Sequence, residues 1–272
     1  DMKRIILVLF ILLSVLSFSE NNGAAREGES KYKFSLGLLT GYGSKLYRIE
    51  EKEVSYIPFI TLESETLYIR GTEIGYKHKL NSKLTLTGFS QLFGGISLQG
   101  AGGAIGGTQL NNSDMEDGYK GISSRDTQVE FGLRLGYNTG FQKVKLLGEA
   151  RGGKRGGSGK ISALRPFEVT KKLLIIPQIN LSLFDKNMVD YYFGVSEDEV
   201  NDPRNTKLNN VYDPDKFAYA SGVGVSVRYN VTPKFAVLGL AEIQYVGDEI
   251  GDSPIVKNRA NYFAGLGFRY DF

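Results

Sequence analysis

"ANYFAGLGFRYDF", residues 260–272, is the stretch on which the fold turns. Tyr262, Ala264, Leu266, Phe268, Tyr270 and Phe272 share one parity. Asn261, Gly265, Gly267, Arg269 and Asp271 share the other, with Phe263 the one large apolar residue among them. Successive side chains of a strand leave opposite faces of the sheet. The segment therefore reads as a strand with one apolar face and one face of glycine and charge. A terminus ordinarily frays; one that ends on such a strand, with an aromatic last, is suited to being paired.

The same period runs back through the chain. Val129, Phe131, Leu133, Leu135 and Tyr137 alternate with Gln128, Glu130, Gly132, Arg134 and Gly136. Tyr219, Val223, Val225, Val227 and Tyr229 alternate with Ala220, Gly222, Gly224, Ser226 and Arg228. Phe235, Val237, Gly239, Ala241, Ile243 and Tyr245 alternate with a face that carries Glu242. The spacing predicts strands near 32–42, 54–62, 65–70, 73–80, 83–93, 126–137, 141–151, 159–168, 171–185, 216–229, 234–246 and 260–272. That makes twelve; ten follows if the split at Gly71–Thr72 is not a turn, and fourteen is the other alternative. No stretch beyond the first twenty residues has a comparable 3.6-residue period, so no further helix is expected, and "VDYYFGV" (189–195) is placed in an external hairpin.

Such strands are long for a soluble sheet, and aromatics stand near many of their ends. In lipid every backbone N–H and C=O has to be paired within the protein, so a spanning sheet closes on itself. Its side chains then alternate between lipid and lumen, and Tyr and Phe settle at the headgroups. A soluble sandwich or lipocalin-like barrel alternates too; the strand length, the Gly and Arg on the second face and the terminal Phe favour the all-β transmembrane antiparallel barrel. "LNSKL" (80–84), "YNTGF" (137–141) and "YNVTPKF" (229–235) read as short periplasmic turns. The segments 94–124, 152–158, 186–215 and 247–257 read as long external loops. Closure pairs the last strand with the one near Tyr32–Tyr42, with Phe268, Tyr270 and Phe272 on the face that holds it in the membrane.

At the other end, Lys3 and Arg4 precede the apolar run "IILVLFILLSVLSF" (5–18). This predicts a signal peptide at 1–19, a short periplasmic segment at 20–31 and a barrel at 32–272. The absence of Cys excludes a disulfide scaffold and a Cys-ligated metal. The 33 basic and 30 acidic residues nearly balance, which gives no reason to expect nucleic acid as a partner.

Motifs for chemistry are sparse. His78, the single histidine, lies beside a short turn, away from the rim where a surface acyl hydrolase would hold its triad. "GGKRGGSGKIS" (152–162) lacks the glycine and the Ser or Thr of a phosphate loop. It reads instead as a flexible basic loop whose Lys154, Arg155 and Lys160 face lipopolysaccharide phosphates. The acidic stretches 196–202 and 246–252 lack EF-hand spacing. No catalytic residue, cofactor or metal is expected. The Gly-rich 94–107 is either a mobile loop or a plug. Arg134, Arg228 and Arg269 are expected in the lumen beside Glu130, Glu242 and Asp271; mixed signs allow pairing across it and point to a narrow or closed interior.

"DYYFGV" (190–195), "VYDPDKFAYASGVGVSVRYNVTPKFAVLG" (211–239), "GDSPIVKN" (251–258) and "AGLGFRYDF" together resemble the MipA/OmpV family of MltA-interacting outer-membrane proteins. "LGLLTGYGSKLYR" and "VSYIPFITLESETLYIRG" fit that family's opening. Asp252, Ser253 and Pro254 in the last external loop are the most specific part. The resemblance implies a non-enzymatic outer-membrane scaffold of a Gram-negative-type bacterium, bridging a lytic transglycosylase to a peptidoglycan synthase. Adhesins and stress-responsive outer-membrane proteins also look like members, and a small-solute, porin-like channel is the alternative from the barrel itself. A terminal Phe resembles the signal read by the barrel-assembly machinery.

Overall fold

The structure, a computed structural model, describes residues 32–50, 55–96 and 109–272. The strands in chain order are β1 (Lys33–Gly43), β2 (Ser55–Glu63), β3 (Leu67–Arg70), β4 (Glu73–Lys79), β5 (Leu84–Gly94), β6 (Gln128–Asn138) and β7 (Lys145–Gly153). Then follow β8 (Gly156–Leu164), β9 (Phe167–Glu168), β10 (Leu173–Phe184), β11 (Ala218–Asn230), β12 (Phe235–Val246) and β13 (Ala260–Asp271). Each pairs antiparallel with its neighbours, β8 and β9 being two lengths of one stave against β10. The lapse falls where Pro166 lies in the gap and Pro177 lies opposite, and neither residue has an N–H to give the ladder.

Twelve staves result, and the ring has no edge. β13 pairs with β1 from Ser35↔Asp271 to Gly43↔Phe263. β10 pairs with β11 from Leu173↔Tyr229 to Phe184↔Ala218. The split at Gly71–Thr72 is a true hairpin: Gly71 has φ 57°, a left-handed value glycine takes without cost. Val129, Phe131, Leu133, Leu135 and Tyr137 are all exposed, and Phe131 reaches 68 %. Gln128 and Glu130, on the other face of β6, are buried. An apolar belt of this extent is tolerable only against lipid or a partner.

The largest group of buried apolar residues lies outside the strand walls. Leu46 and Tyr47, Met115 and Ile122, Met188, Tyr192, Phe193 and Val195, and Ile250, Ile255 and Val256 pack together at the long-loop rim. They come from four different loops. Two of these loops start on nearly opposite sides of the ring, after β5 and after β12, so the cluster reaches across the mouth as a cap.

Three sequence expectations are corrected here. Short helices do follow the first twenty residues: α1 (Lys186–Phe193), α2 (Glu197–Asn201) and α3 (Asp248–Gly251). The hairpin expected at 189–195 is largely α1. Asp185 caps it by accepting from the Met188 N–H, and Met188, Val189, Tyr192 and Phe193 bury one helical stripe. The basic loop expected at 152–158 shrinks to Lys154–Arg155, because β7 and β8 run on to Gly153 and Gly156. Gly156, with φ 113°, makes that reversal possible. Most of the Gly-rich stretch 94–107 lies outside the described residues; of its first three residues, Ile96 is buried in the cap.

Candidate functional site: the lumen and its cap

Glu73 enters the lumen at the start of β4, opposite Gln91. Arg134 of β6 reaches it with both terminal nitrogens, Nη1 to Oε1 at 3.0 Å and Nη2 to Oε2 at 2.8 Å. The same guanidinium donates from Nε to Glu149 of β7 at 2.7 Å and lies over the Phe89 ring. Tyr68 donates its hydroxyl to Glu73 at 2.6 Å. Tyr68 lies against Gly75, where a Cβ would collide with its ring. Arg151 continues the chain, with Nε 3.3 Å from Glu130, which also accepts from Gln128 Nε2 at 2.8 Å. Four strands, β3, β4, β6 and β7, are thus tied by charge-assisted bonds, with β5 joined through the Phe89 ring, in a confined space where each bond is worth more than on a surface.

The facing wall carries Glu242 and Gln244 of β12 with Gln178 and Ser182 of β10, and Lys160 of β8 lies beside them. Asn180 donates to Glu242 Oε1 at 3.5 Å. A polar cavity of about 460 Å³ lies between the walls, lined also by Arg134, Glu149 and Arg151. Toward the short-turn rim, Arg269 donates to Asp271 at 2.9 Å from the same face of β13. Arg228 lies opposite Leu174 and Leu238, its Nε buried without a hydrogen bond. The expectation that Lys160 faces lipopolysaccharide is overturned, because it is part of the cavity wall. Arg155 donates to the Asp126 carbonyl and stands 4.0 Å from the Tyr191 ring, which folds it down onto the cap.

Above the cavity, Arg125 and Glu199 hold the cap. Arg125 Nη2 donates to Glu199 Oε1 at 2.9 Å and to the Gly194 carbonyl at 3.0 Å; Nη1 donates to the Ser123 carbonyl at 2.9 Å. Glu199 also accepts from the backbone of Ser123 and Ser196, at 2.8 and 2.9 Å. Burial alone would raise its pKa; those amides and Arg125 outweigh it and hold the carboxyl below the ordinary range. Burial raises the Tyr192 hydroxyl to about 12, so it stays a donor, and it gives its proton to the Asp126 carbonyl at 3.1 Å.

The 252–254 motif belongs to this cap. Ser253 donates to the Phe193 carbonyl at 2.6 Å, Pro254 O accepts from Arg48 Nε at 2.9 Å, and Asp252 pairs with Arg259. Ile255 is fully buried and Val256 bridges to Tyr47. At the opposite rim Phe272 donates its N–H to the Phe34 carbonyl at 3.1 Å, with its ring 5.2 Å from Phe34 and 5.0 Å from Tyr270. Phe268 stacks on Phe235. His78 is exposed on β4. Among the described residues no group of three or more His, Cys, Asp or Glu could hold a metal ion. Sequence reasoning passed over Glu73, Glu149, Arg151 and Tyr68; Glu149 and Arg151 share a parity on β7, the available signal, but glycines at 148, 152 and 153 blur it.

A closed twelve-stave barrel with lipid-compatible outer residues and a charged interior defines an outer-membrane β-barrel protein. The family described as MltA-interacting protein MipA matches residues 36–272, and the chain belongs to it. A 24 kDa outer membrane protein of Pasteurella multocida is 29 % identical over 87 % of this chain and 90 % of its own. The MltA-interacting protein of Escherichia coli is 24 % identical over 96 % and 98 %. Among solved structures a NanC porin covers 87 % of this chain and 100 % of its own, at 11 % identity and TM-score 0.41. A KdgM porin covers 89 % and 99 %, at 10 % identity and TM-score 0.39.

Proposed function

We propose that this outer-membrane barrel is a non-enzymatic scaffold that acts through its rims. Residues 1–19 direct export, 20–31 lie in the periplasm with the short turns, and the capped loops face outward. The partners are a lytic transglycosylase, in keeping with the name of the Escherichia coli relative, and a peptidoglycan synthase. The barrel-assembly machinery handles the terminal strand during insertion.

The observation that carries this reading is the filled mouth. Four loops bury a common apolar cluster across it, and ion pairs tie the lumen wall beneath. A barrel devoted to solute flux needs a continuous aqueous path. Planar-bilayer recording tests this: intact protein should show only small conductance, and crosslinking in outer membranes should recover the two murein enzymes. Large steady conductance without either enzyme would refute the scaffold. The polar cavity of about 460 Å³ favours one second reading, a small-solute channel gated by the cap. In that case loosening the cap should raise conductance sharply.

A further inference from the structure

The two rims carry opposite charge. The short-turn rim comprises residue 33 and the segments 63–66, 77–84, 138–145, 164–173, 228–235 and 269–272. It holds twelve Lys or Arg against four Asp or Glu. The described loops of the other rim, 44–50, 94–96, 109–127, 154–155, 185–217 and 247–259, hold twelve against sixteen. A nearly neutral chain is thus a barrel with a basic base and an acidic cap.

The basic charge is placed in a particular way. Lys83, Lys143, Lys171, Lys172 and Lys234 are exposed in the turns. Of these, Lys143 has an ion-pair partner in Glu168 at 3.5 Å, both well exposed to solvent. Each of these four lysine-bearing turns also carries an exposed apolar side chain, Leu80, Phe141, Val169 or Val231, and Phe272 is exposed at the same rim. Turns of three to six residues extend no more than ~10 Å past the strand ends. Ammonium groups so close to an apolar collar lie at the depth of lipid phosphates.

We infer that the short-turn rim is a binding surface for anionic phospholipid headgroups, gathering such lipids around this end of the barrel. The depth of these lysines matches that of lipid phosphates, whereas a wall polymer would need charges that project beyond the headgroups. Lysine suits this task as a flexible point charge toward phosphate. The inference depends on the membrane barrel alone, so it stands or falls separately from the scaffold reading.

The test is lipid selectivity in reconstituted vesicles of equimolar phosphatidylcholine and phosphatidylglycerol. Spin-labelled forms of the two lipids report the motionally restricted shell by electron paramagnetic resonance. Intact protein should favour the phosphatidylglycerol probe by about fivefold, and molar salt should erase the preference. The variant Lys83→Gln, Lys143→Gln, Lys171→Gln, Lys234→Gln should bring both probes close to parity while keeping heat-modifiable migration on gels. Equal restriction of both probes by the intact protein, at low salt, overturns the inference whether or not the variant folds. So does lysine-dependent co-sedimentation with isolated murein in the absence of lipid selectivity, which would give the rim to the wall polymer.

Discussion

Arg125→Ala should open the cap and leave the barrel standing. The guanidinium is nearly buried, and its removal strips two donor contacts from Glu199 and one each from the Gly194 and Ser123 carbonyls. Glu199 would keep only two backbone amides and the Ser196 hydroxyl as donors. Removing one partner of a buried pair costs about 3–5 kcal/mol, which raises the population of locally open cap by about two to four orders of magnitude. Limited proteolysis of intact outer-membrane vesicles reads this directly: cleavage within 185–217 should accelerate accordingly, while strands and heat-modifiable mobility persist. Arg125→Met with Glu199→Gln removes both charges together and should recover much of the protection. The pH dependence follows from the depressed Glu199 carboxyl. Its stabilising contribution is complete above the ordinary glutamate pKa and is lost as pH falls through the lower folded value. The native cap should therefore loosen only in acid below the ordinary carboxylate range. Protease resistance of Arg125→Ala within a few-fold of the parent would refute the pair's role as the latch.

Three further outcomes are expected. Arg134→Ala strips both guanidinium contacts from Glu73, leaving it the Tyr68 hydroxyl, and leaves Glu149 with Arg151 at 3.8 Å; the two side chains are 5 % and 12 % exposed. It should lower stability in urea by about 3–5 kcal/mol, and Arg134→Lys should recover only part, because one ammonium cannot reproduce the fork. Gln142 and Lys143 both sit at left-handed φ, 47° and 58°, in the turn closed by Val144 N–H to the Phe141 carbonyl at 2.9 Å; Lys143→Gly should stabilise the barrel by about 1 kcal/mol, measured by the same urea unfolding. Phe272→Ala should cost about 1 kcal/mol in detergent-refolded protein through its two ring contacts yet sharply lower the amount inserted in cells. Deletion of 261–272 should abolish both, since it unpairs β12 and β1.

The sequence alone determined the wall. Period-two alternation along β6, β11, β12 and β13 sets which side chains share a face, and hydrocarbon requires the sheet to close. Both follow from local geometry and one solvent rule, so the twelve staves and the Gly71–Thr72 hairpin were legible, as was the pairing of the last strand with the first. The cap was not. Its buried residues lie in loops with no sustained period, and a stripe as short as Met188, Val189, Tyr192 and Phe193 becomes a helix because loops distant in sequence supply the surface that covers it. The partners of Arg134 were likewise hidden: parity puts a residue on a face, but only the register of β4, β6 and β7 sets Glu73 and Glu149 within reach of one guanidinium. The basic stretch at 152–162 shows the same limit, because glycine permits strand and loop alike. There the choice was made by pairing across β7 and β8 and by the fit of Gly156 against Asp185.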